Sequence, residues 1–409
     1  MKYQFHTIIL GAGSGGLVVA SAAASLGAKV ALVESDKMGG DCLNAGCVPS
    51  KTFLRSAHLA ADIKRANEYA LDVDMKGVDI EKVMERVRSV INEIEPHDSK
   101  ARYESLGVKV FLEKGVLIDK HSVKLNDSVI TAKYIVIATG SKPFVPDIPG
   151  LSDIDYLTNK NIFSLKKLPK HLIVLGGGPI GLELGQGFCH LGSKVTVIDR
   201  GKNLFKKDEL EVAPIIEEQL IKDGVELKLL SSIQSVSKCG DKVEVKIIRN
   251  NKEEIIIGDK ILVSLGRTPV SSSFGLEEIG VSIDKRGYIQ TSKKLQTSVK
   301  NIYACGDVVG PYQFTHMAGY QAGIIIRNII FKLGSKVDYS LVPWTTYTKP
   351  EVAHVGYTQP WAESLGIYSD SVMVNLEEMD RAKTENDRVG FLKLNLNKRK
   401  QIIGATLDS

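Results

Sequence analysis

This sequence predicts an α/β protein: two similar strand–helix–strand modules with mainly parallel sheets in three layers, one inserted in the other, followed by an α+β piece. Three observations predict it. The segment from Thr7 to Gly16, with its sequel to Glu34, recurs as Leu172 to Gly181 with a sequel to Asp199. Each copy is followed, much later, by an apolar run that ends on glycine, Lys133 to Gly140 and Lys260 to Gly266. Beyond about Pro343 the pattern turns to alternation, and Thr345-Thr346-Tyr347 and Phe391-Leu392-Lys393-Leu394-Asn395-Leu396 read as antiparallel strands.

Size and composition agree with several ordinary domains. The chain has 409 residues, 43% of them apolar and 25% charged, which excludes disordered, collagenous and coiled-coil classes. Its net charge of +5 is mild, and basic residues are interleaved with acids, as at Asp36-Lys37 and Lys207-Asp208. No basic stripe points to nucleic acid, and charge gives no reason to expect a membrane surface partner. No run of about 18 apolar residues suggests a spanning helix. The N-terminus enters the apolar run Thr7-Ile8-Ile9-Leu10 at once, leaving no room for a signal peptide, so a cytoplasmic location is expected.

The first module begins with that apolar run, then Gly11-Ala12-Gly13-Ser14-Gly15-Gly16, an alanine-rich helix, and Lys29-Val30-Ala31-Leu32-Val33-Glu34. The second runs Leu172-Ile173-Val174-Leu175, Gly176-Gly177-Gly178-Pro179-Ile180-Gly181, a helix, and Lys194-Val195-Thr196-Val197-Ile198-Asp199. In both, the acid stands 23 residues after the first glycine. One G-x-G-x-x-G is a weak signal. Two, each after a strand, opening a helix and ending in an acid at one spacing, form a dinucleotide-binding unit used twice. Gly11 and Gly176 allow the tight turn, Gly13 and Gly178 let a pyrophosphate approach, and Gly16 and Gly181 permit close helix packing. The helix N-termini offer unsatisfied N–H groups to phosphate, and Glu34 and Asp199 would accept bonds from a ribose diol. The runs ending at Gly140 and Gly266 read as buried parallel strands that close each module. Pro143, Pro146, Pro149 and Gly150 mark a crossing point between modules. Asn301-Ile302-Tyr303-Ala304-Cys305-Gly306-Asp307 reads as a further buried strand ending in an acid.

There are five cysteines, and in a cytosolic chain of this size they are no disulfide framework. Cys42 and Cys47 are spaced C-x4-C just after the first module's acid, in Gly39-Gly40-Asp41-Cys42-Leu43-Asn44-Ala45-Gly46-Cys47-Val48-Pro49-Ser50-Lys51. In one regular helix they would be too far apart to bridge, but a distorted loop made flexible by Gly46 would close the gap. Pro49 suits a first helical turn, which puts Cys47 at a helix N-terminus that favours a thiolate. Zinc lacks further ligands at a suitable spacing. Two unrelated buried cysteines are the bland alternative, and the nucleotide module immediately upstream favours a redox pair. Cys189 and Cys239 have no partner signal, and Cys305 reads as a small buried strand residue. His316 and His354 lie in apolar or loop contexts and read as structural.

Taken together, G-G-x-C-L-N-x-G-C-x-P-S-K, Ala138-Thr139-Gly140, Gly266-Arg267-Thr268-Pro269 and Ala304-Cys305-Gly306-Asp307 resemble the class I flavoprotein disulfide reductases, in order along nearly the whole chain. This family includes lipoamide dehydrogenase, glutathione reductase and mercuric reductase. Phe314-Thr315-His316 and Val342-Pro343-Trp344-Thr345-Thr346-Tyr347-Thr348 look most like its mercuric-reductase-like bacterial branch. The resemblance implies an FAD-binding domain over 1–145 and 268–335, an NAD(P)-binding domain over 146–267, and a partial interface (dimerisation) domain over 336–409. It implies FAD held by Gly11, Gly13, Gly16 and Glu34, with Asp307 at the ribityl chain and Ala318 near the isoalloxazine. Gly40, Thr139, Gly140, Gly266 and Arg267 would be further cofactor contacts. Gly176, Gly178, Gly181 and Asp199 would hold the nicotinamide nucleotide. Lys51 and Glu183 would pair near the hydride-accepting edge of the flavin. Cys47 would be the thiolate facing the flavin and Cys42 the thiol that attacks the acceptor.

The implied activity is transfer from NAD(P)H through FAD to the Cys42–Cys47 disulfide, then to a small-molecule (lipoamide-like) or protein disulfide, by a homodimer. Asp199 favours NADH by repelling a 2′-phosphate, while Arg200, Lys202, Lys206 and Lys207 leave NADPH open. The sequence departs from the family in one respect. None of its eight histidines precedes proline, whereas the family's base is a His-Pro histidine of the partner. The expectation is a truncated chain, since the family's interface domain runs roughly forty to sixty residues beyond Ser409, within the size of a domain. An NAD(P)H-dependent quinone or metal-ion reductase, and a redox-responsive flavoprotein with impaired turnover, are the competing functions. Mercury as natural acceptor lacks support, because no cysteine follows Cys305.

Overall fold

The computed structural model describes residues 3–409 and resolves into two compact units. The first comprises the chain up to Pro49, Arg88–Lys142 and Arg267–Asp338. Its seven-stranded sheet has Lys109–Leu112, Val30–Glu34, Phe5–Leu10 and Val129–Ile137 in spatial order, all parallel, with Ile302–Ala304 added parallel to Val129–Ile137. Ser122–Lys124 and Val116–Leu117 continue it antiparallel. The central strands are near-continuous aliphatic runs because both faces are covered. Ile8, Leu10, Ala31, Val33, Ile135, Ile137, Ile302 and Ala304 share one core. On the sheet the helix Ser14–Ser25 packs with Thr315–Ile329.

The second unit comprises Ser50–Val87, Pro143–Gly266 and Tyr339–Ser409. It repeats the arrangement with four parallel strands in the order Val225–Lys228, Lys194–Ile198, His171–Leu175, Lys260–Val263. An antiparallel sheet, Ser231–Cys239, Lys242–Arg249 and Lys252–Gly258, packs Val243, Val245 and Ile247 onto the same core as Ile173, Leu175 and Val263. The expected alternating strands are present. Pro343–Thr346, Val352–Gly356, Ile402–Asp408, Phe391–Asn397 and Tyr368–Asn375 form a five-stranded antiparallel sheet in that order.

That sheet has an unusual distribution of polarity. Its buried face carries His354, Lys393, Asn395, Thr406 and Asp408. Lys393 Nζ lies 3.1 Å from Glu209 and 2.8 Å from Glu211, and also donates to Gln359 at 2.7 Å. Asn395 donates to Glu209 Oε1 at 2.6 Å. His354 Nδ1 lies 2.6 Å from the Thr406 hydroxyl, and its Nε2 lies 3.0 Å from the Gly356 carbonyl. Its ring lies against Trp344 at a tilt of 32° with centroids 4.1 Å apart, and burial holds its pKa below the ordinary value. His354 is therefore a structural histidine, as the sequence suggests. The register puts Val374, Leu392, Leu407 and Ala353 in one row, and Val372, Leu394, Ala405 and Val355 in the next, on the opposite face. Val355, Val372, Val374, Leu392 and Leu407 are all exposed there.

Asp408 stands apart within the buried polar face: both its carboxylate oxygens lack a hydrogen-bond partner, whereas Asn395 leaves only its Oδ1 unpartnered. Burial pushes its pKa up to about 7. An unfolded aspartate ionises near pH 4. Between those values the folded chain holds a proton that the unfolded chain has lost, so stability falls as pH rises from about 4 to about 7. Asp408→Asn should flatten this slope. The check is thermal melting of both proteins at pH 5 and pH 7.5; parallel changes in Tm would show that burying Asp408 has no such effect.

Candidate functional site

The two nucleotide modules match in detail. Gly11 N–H donates to Val33 O at 2.8 Å and Gly176 N–H to Ile198 O at 2.9 Å. Both glycines have positive φ, +103° and +105°, where a side chain would be strained. A Cβ on Gly16 would lie 1.9 Å from Gly11 O, and one on Gly181 2.2 Å from Gly176 O, so each helix can only start this close with glycine at that place. The middle glycines face open space: a Cβ on Gly178 would meet nothing within 4 Å, and one on Gly13 only Gly40 Cα at 3.9 Å. Both are N-caps with no side-chain cap. Unsatisfied N–H groups beneath an open cradle fit a diphosphate. Glu34 accepts from Ala12 N at 2.6 Å and Asp36 N at 2.8 Å. Asp199 accepts from Gly177 N at 2.9 Å and Gly201 N at 2.6 Å. Each carboxylate is thus aimed by backbone donors and keeps lone pairs for a ribose.

In the first unit, Arg267 joins several predicted residues. Its guanidinium lies 3.0 Å from Asp41 and 3.7 Å from Asp307, and donates to Ser141 Oγ at 2.7 Å. Ser141 Oγ in turn donates to Asp307 at 2.5 Å. Burial raises the Asp307 pKa, opposed by Ser141 and Arg267. The Thr139 hydroxyl donates to Val270 O, also at 2.5 Å, so it braces the strand end. Gly140 and Gly266 have positive φ and open surroundings. Ala318 is buried, and a Cβ on Gly306 would lie 3.3 Å from its methyl carbon.

The cysteines lie on two helices separated by a kink. Cys42 is in Gly40–Asn44, and Cys47 is the first residue of Cys47–Lys64, with Pro49 in its first turn. Gly46 works differently from the expectation. It has no positive φ, but a Cβ there would lie 2.9 Å from the Asp41 carbonyl oxygen, so its role is to let the two helices meet. Cys42 hydrogen-bonds to Cys47, and this bond, followed by burial, raises the Cys42 pKa; Thr315 and Ser14 hydroxyls act in the opposite sense. Cys47 Sγ lies 3.2 Å from Thr315 Oγ1. Cys305 lies one residue beyond the strand Ile302–Ala304, in which the sequence places it, capping the short turn Gly306–Val308, and is fully buried with its thiol pushed up to about 12.

In the second unit, Lys51 Nζ lies 3.2 Å from Glu183 Oε2, as the resemblance implies. Tyr347 donates its N–H to Glu183 Oε1 at 3.0 Å and places its ring 4.0 Å from Lys51 Nζ. Burial, then the Glu183 charge, raises the Glu351 pKa, while Lys51 opposes them.

Sequence reasoning did not reach Ser14, Asp41, Ser141, Thr315 or Tyr347 as members of these clusters. Ser14 had a usable signal, lying inside the first G-x-G-x-x-G. Thr315 and Tyr347 lie in segments that carry the resemblance, but their partners stand 268 and 164 residues away, and nothing local announces those contacts. Among the described residues, no group of three or more His, Cys, Asp or Glu could hold a metal ion, and no helix is long and apolar enough to cross a membrane.

Comparison with known proteins covers the same ground. The family model for pyridine nucleotide-disulphide oxidoreductases matches residues 5–322, and that for their dimerisation domain matches 342–408. The chain is 34% identical over 393 residues to mercuric reductase of Bacillus cereus, covering 96% of this chain and 62% of that protein. It therefore spans less than two thirds of that relative. It is 35% identical over 409 residues to dihydrolipoyl dehydrogenase of Geobacillus stearothermophilus, covering 98% and 85%. The structure of the Cu(II) complex of the HOCl-induced flavoprotein disulfide reductase RclA from Escherichia coli superposes with a TM-score of 0.87 at 28% identity, over 98% of this chain and 89% of that one.

Proposed function

We propose a disulfide reductase, from the premise that this chain belongs to the pyridine nucleotide-disulphide oxidoreductase family. The net reaction is NAD(P)H + H⁺ + RSSR → NAD(P)⁺ + 2 RSH. The observation that carries the reading is the pairing of Cys42 and Cys47, hydrogen-bonded to each other from two helices that meet at Gly46. That bond and burial raise the Cys42 pKa, whereas Cys47 stands at the N-terminus of a long helix, where negative charge on sulfur is favoured. As Cys42 attacks an external disulfide, its proton passes toward Cys47, a mixed disulfide forms and one thiol leaves. Cys47 then attacks the Cys42 sulfur, the second thiol leaves, and the Cys42–Cys47 disulfide closes.

Bound FAD supplies the two-electron relay from the nicotinamide back to that disulfide. Gly11, Gly13, Gly16 and Glu34 would hold its diphosphate and adenosine ribose. Gly40, Thr139, Gly140, Asp307, Ala318, Gly266 and Arg267 would complete the seat. Gly176, Gly178, Gly181 and Asp199 would hold the nicotinamide nucleotide. The Lys51 ammonium, held by Glu183, would supply positive charge beside the bound group. NADH is the proposed donor. Both Asp199 oxygens are held by backbone N–H groups, and Lys206 at 3.7 Å offsets the charge only from one side. A metal ion is the second acceptor class, favoured by the mercuric reductase relatives and the copper complex of RclA. The cytoplasm is the proposed compartment, where thiols stay reduced. The proposed assembly is a homodimer, and the exposed apolar rows of the five-stranded sheet are suited to burial against a second copy.

Three outcomes are expected. Cys42→Ser should abolish reduction of a dithiol-type substrate such as lipoamide and spare reduction of a quinone; disulfide turnover that persists would remove the thiols from the electron path. NADH should exceed NADPH by about tenfold or more in kcat/KM, the effect of one unfavourable charge contact worth about 1.4 kcal/mol. A ratio near one in steady-state kinetics would sink the assignment to Asp199. Val372→Lys should shift the mass measured by light scattering from dimer to monomer, and a monomeric parent protein would overturn the assembly.

A further inference from the structure

We propose that Tyr347 is a positioning residue that keeps Lys51 on Glu183, with its ring on one partner and its backbone on the other. The proposal rests on the reading above that Lys51, held by Glu183, supplies positive charge beside the bound group. Glu183 is well held, with 8% of its side chain exposed, whereas Lys51 is 39% exposed and free to turn into water. The salt bridge alone holds an exposed ammonium weakly. The Tyr347 ring, 4.0 Å from Nζ, adds a second attraction at the same place. The backbone N–H of the same residue occupies Glu183 Oε1 at 3.0 Å, leaving Oε2 for Lys51 at 3.2 Å. One residue therefore orients both partners.

The segment that carries Tyr347 is itself clamped. Gln186, on the same helix as Glu183 and one turn further on, accepts from Lys349 N at 2.8 Å and donates to Lys349 O at 2.7 Å. Gln186 is buried, so this two-point contact is sheltered from water. A rival partner makes such positioning necessary. Glu351, four residues beyond Tyr347, interacts electrostatically with both Lys51 and Glu183. Without the ring, Lys51 has two carboxylates to choose between.

The test uses FAD-loaded protein with lysines labelled with carbon-13 at Cε, the Lys51 signal being identified from Lys51→Arg. The Lys51 ε-methylene protons should resonate upfield under the ring current and show a nuclear Overhauser contact to the Tyr347 ring. Tyr347→Leu, which keeps the N–H but not the ring, should lose the upfield shift. It should also slow anaerobic flavin reduction by NADH roughly two- to fivefold, the factor expected for one exposed cation–π contact. Tyr347→Phe should restore both. A wild-type Lys51 signal with no ring shift and no contact overturns the proposal, whether or not the leucine variant folds. So does a Tyr347→Leu signal like that of wild type. A lost ring shift with unchanged flavin reduction supports the positioning and counts instead against the role given to the Lys51–Glu183 pair.

Discussion

Both nucleotide modules depend on one steric constraint: a helix must begin almost in contact with the end of the strand before it. The third glycine of each motif meets the carbonyl of the first, at distances no Cβ would tolerate. Once that contact exists, much else follows. The first N–H groups of the helix are left open at the strand's carboxyl end, where a phosphate would meet them. The next parallel strand ends alongside, so Glu34 and Asp199 arrive within reach of backbone donors near each turn. The chain uses this device twice and differs between the two copies mainly in what comes after the acid. After Glu34 comes the cysteine segment. After Asp199 comes a basic loop in which Lys206 reaches back to the carboxylate.

The five-stranded sheet obeys another logic. In most half-buried sheets the apolar residues point inward. Here the inward face carries Lys393, Asn395, Thr406, His354 and Asp408 beside the apolar Val352 and Phe391, and the first four bond to Glu209, Glu211, Gln359, Tyr357 O and one another. A buried network of this kind demands that each member be satisfied, because an ion left without its partner is strongly destabilising. It thereby selects one register, since a shift by one residue would place Leu392 and Leu394 against Glu209 and Lys393 in the open. The apolar rows on the other face are the part of the molecule best suited to association.

These two regions divide what was legible from what was not. The glycine spacing, the closing strands and the C-x4-C helix start are local patterns, and the structure has them where the sequence puts them. Alternation over Phe391–Asn397 correctly announced a strand, but it is symmetrical and does not say which face turns inward. Only the distant Glu209 and Glu211 decide that. Gly46 was read as a hinge because glycine is permissive, yet its backbone is ordinary and its smallness is what matters. The Lys51–Glu183 pair was reachable only by resemblance. Tyr347 stands in a segment that carries the resemblance, but its contact with both was not legible, because nothing local links an aromatic strand end to a helix 164 residues earlier.

The same distinction bears on the chemistry of the thiol pair. Two cysteines five positions apart are equivalent in composition, and a dithiol with no internal asymmetry would have no preferred direction of attack. The asymmetry comes from where the kink falls. Cys47 begins an 18-residue helix, while Cys42 sits inside a five-residue one. Only the first position lies at the end of a long run of aligned peptide dipoles, so negative charge is favoured at Cys47. The hydrogen bond between the two thiols, followed by burial, raises the Cys42 pKa and so favours its neutral form. Thr315 holds the Cys47 side from a second helix, and its hydroxyl also interacts with Cys42. The fold of the backbone at Gly46 thus distinguishes the two sulfurs by place, one at the start of a long helix and the other inside a short one, before any substrate arrives.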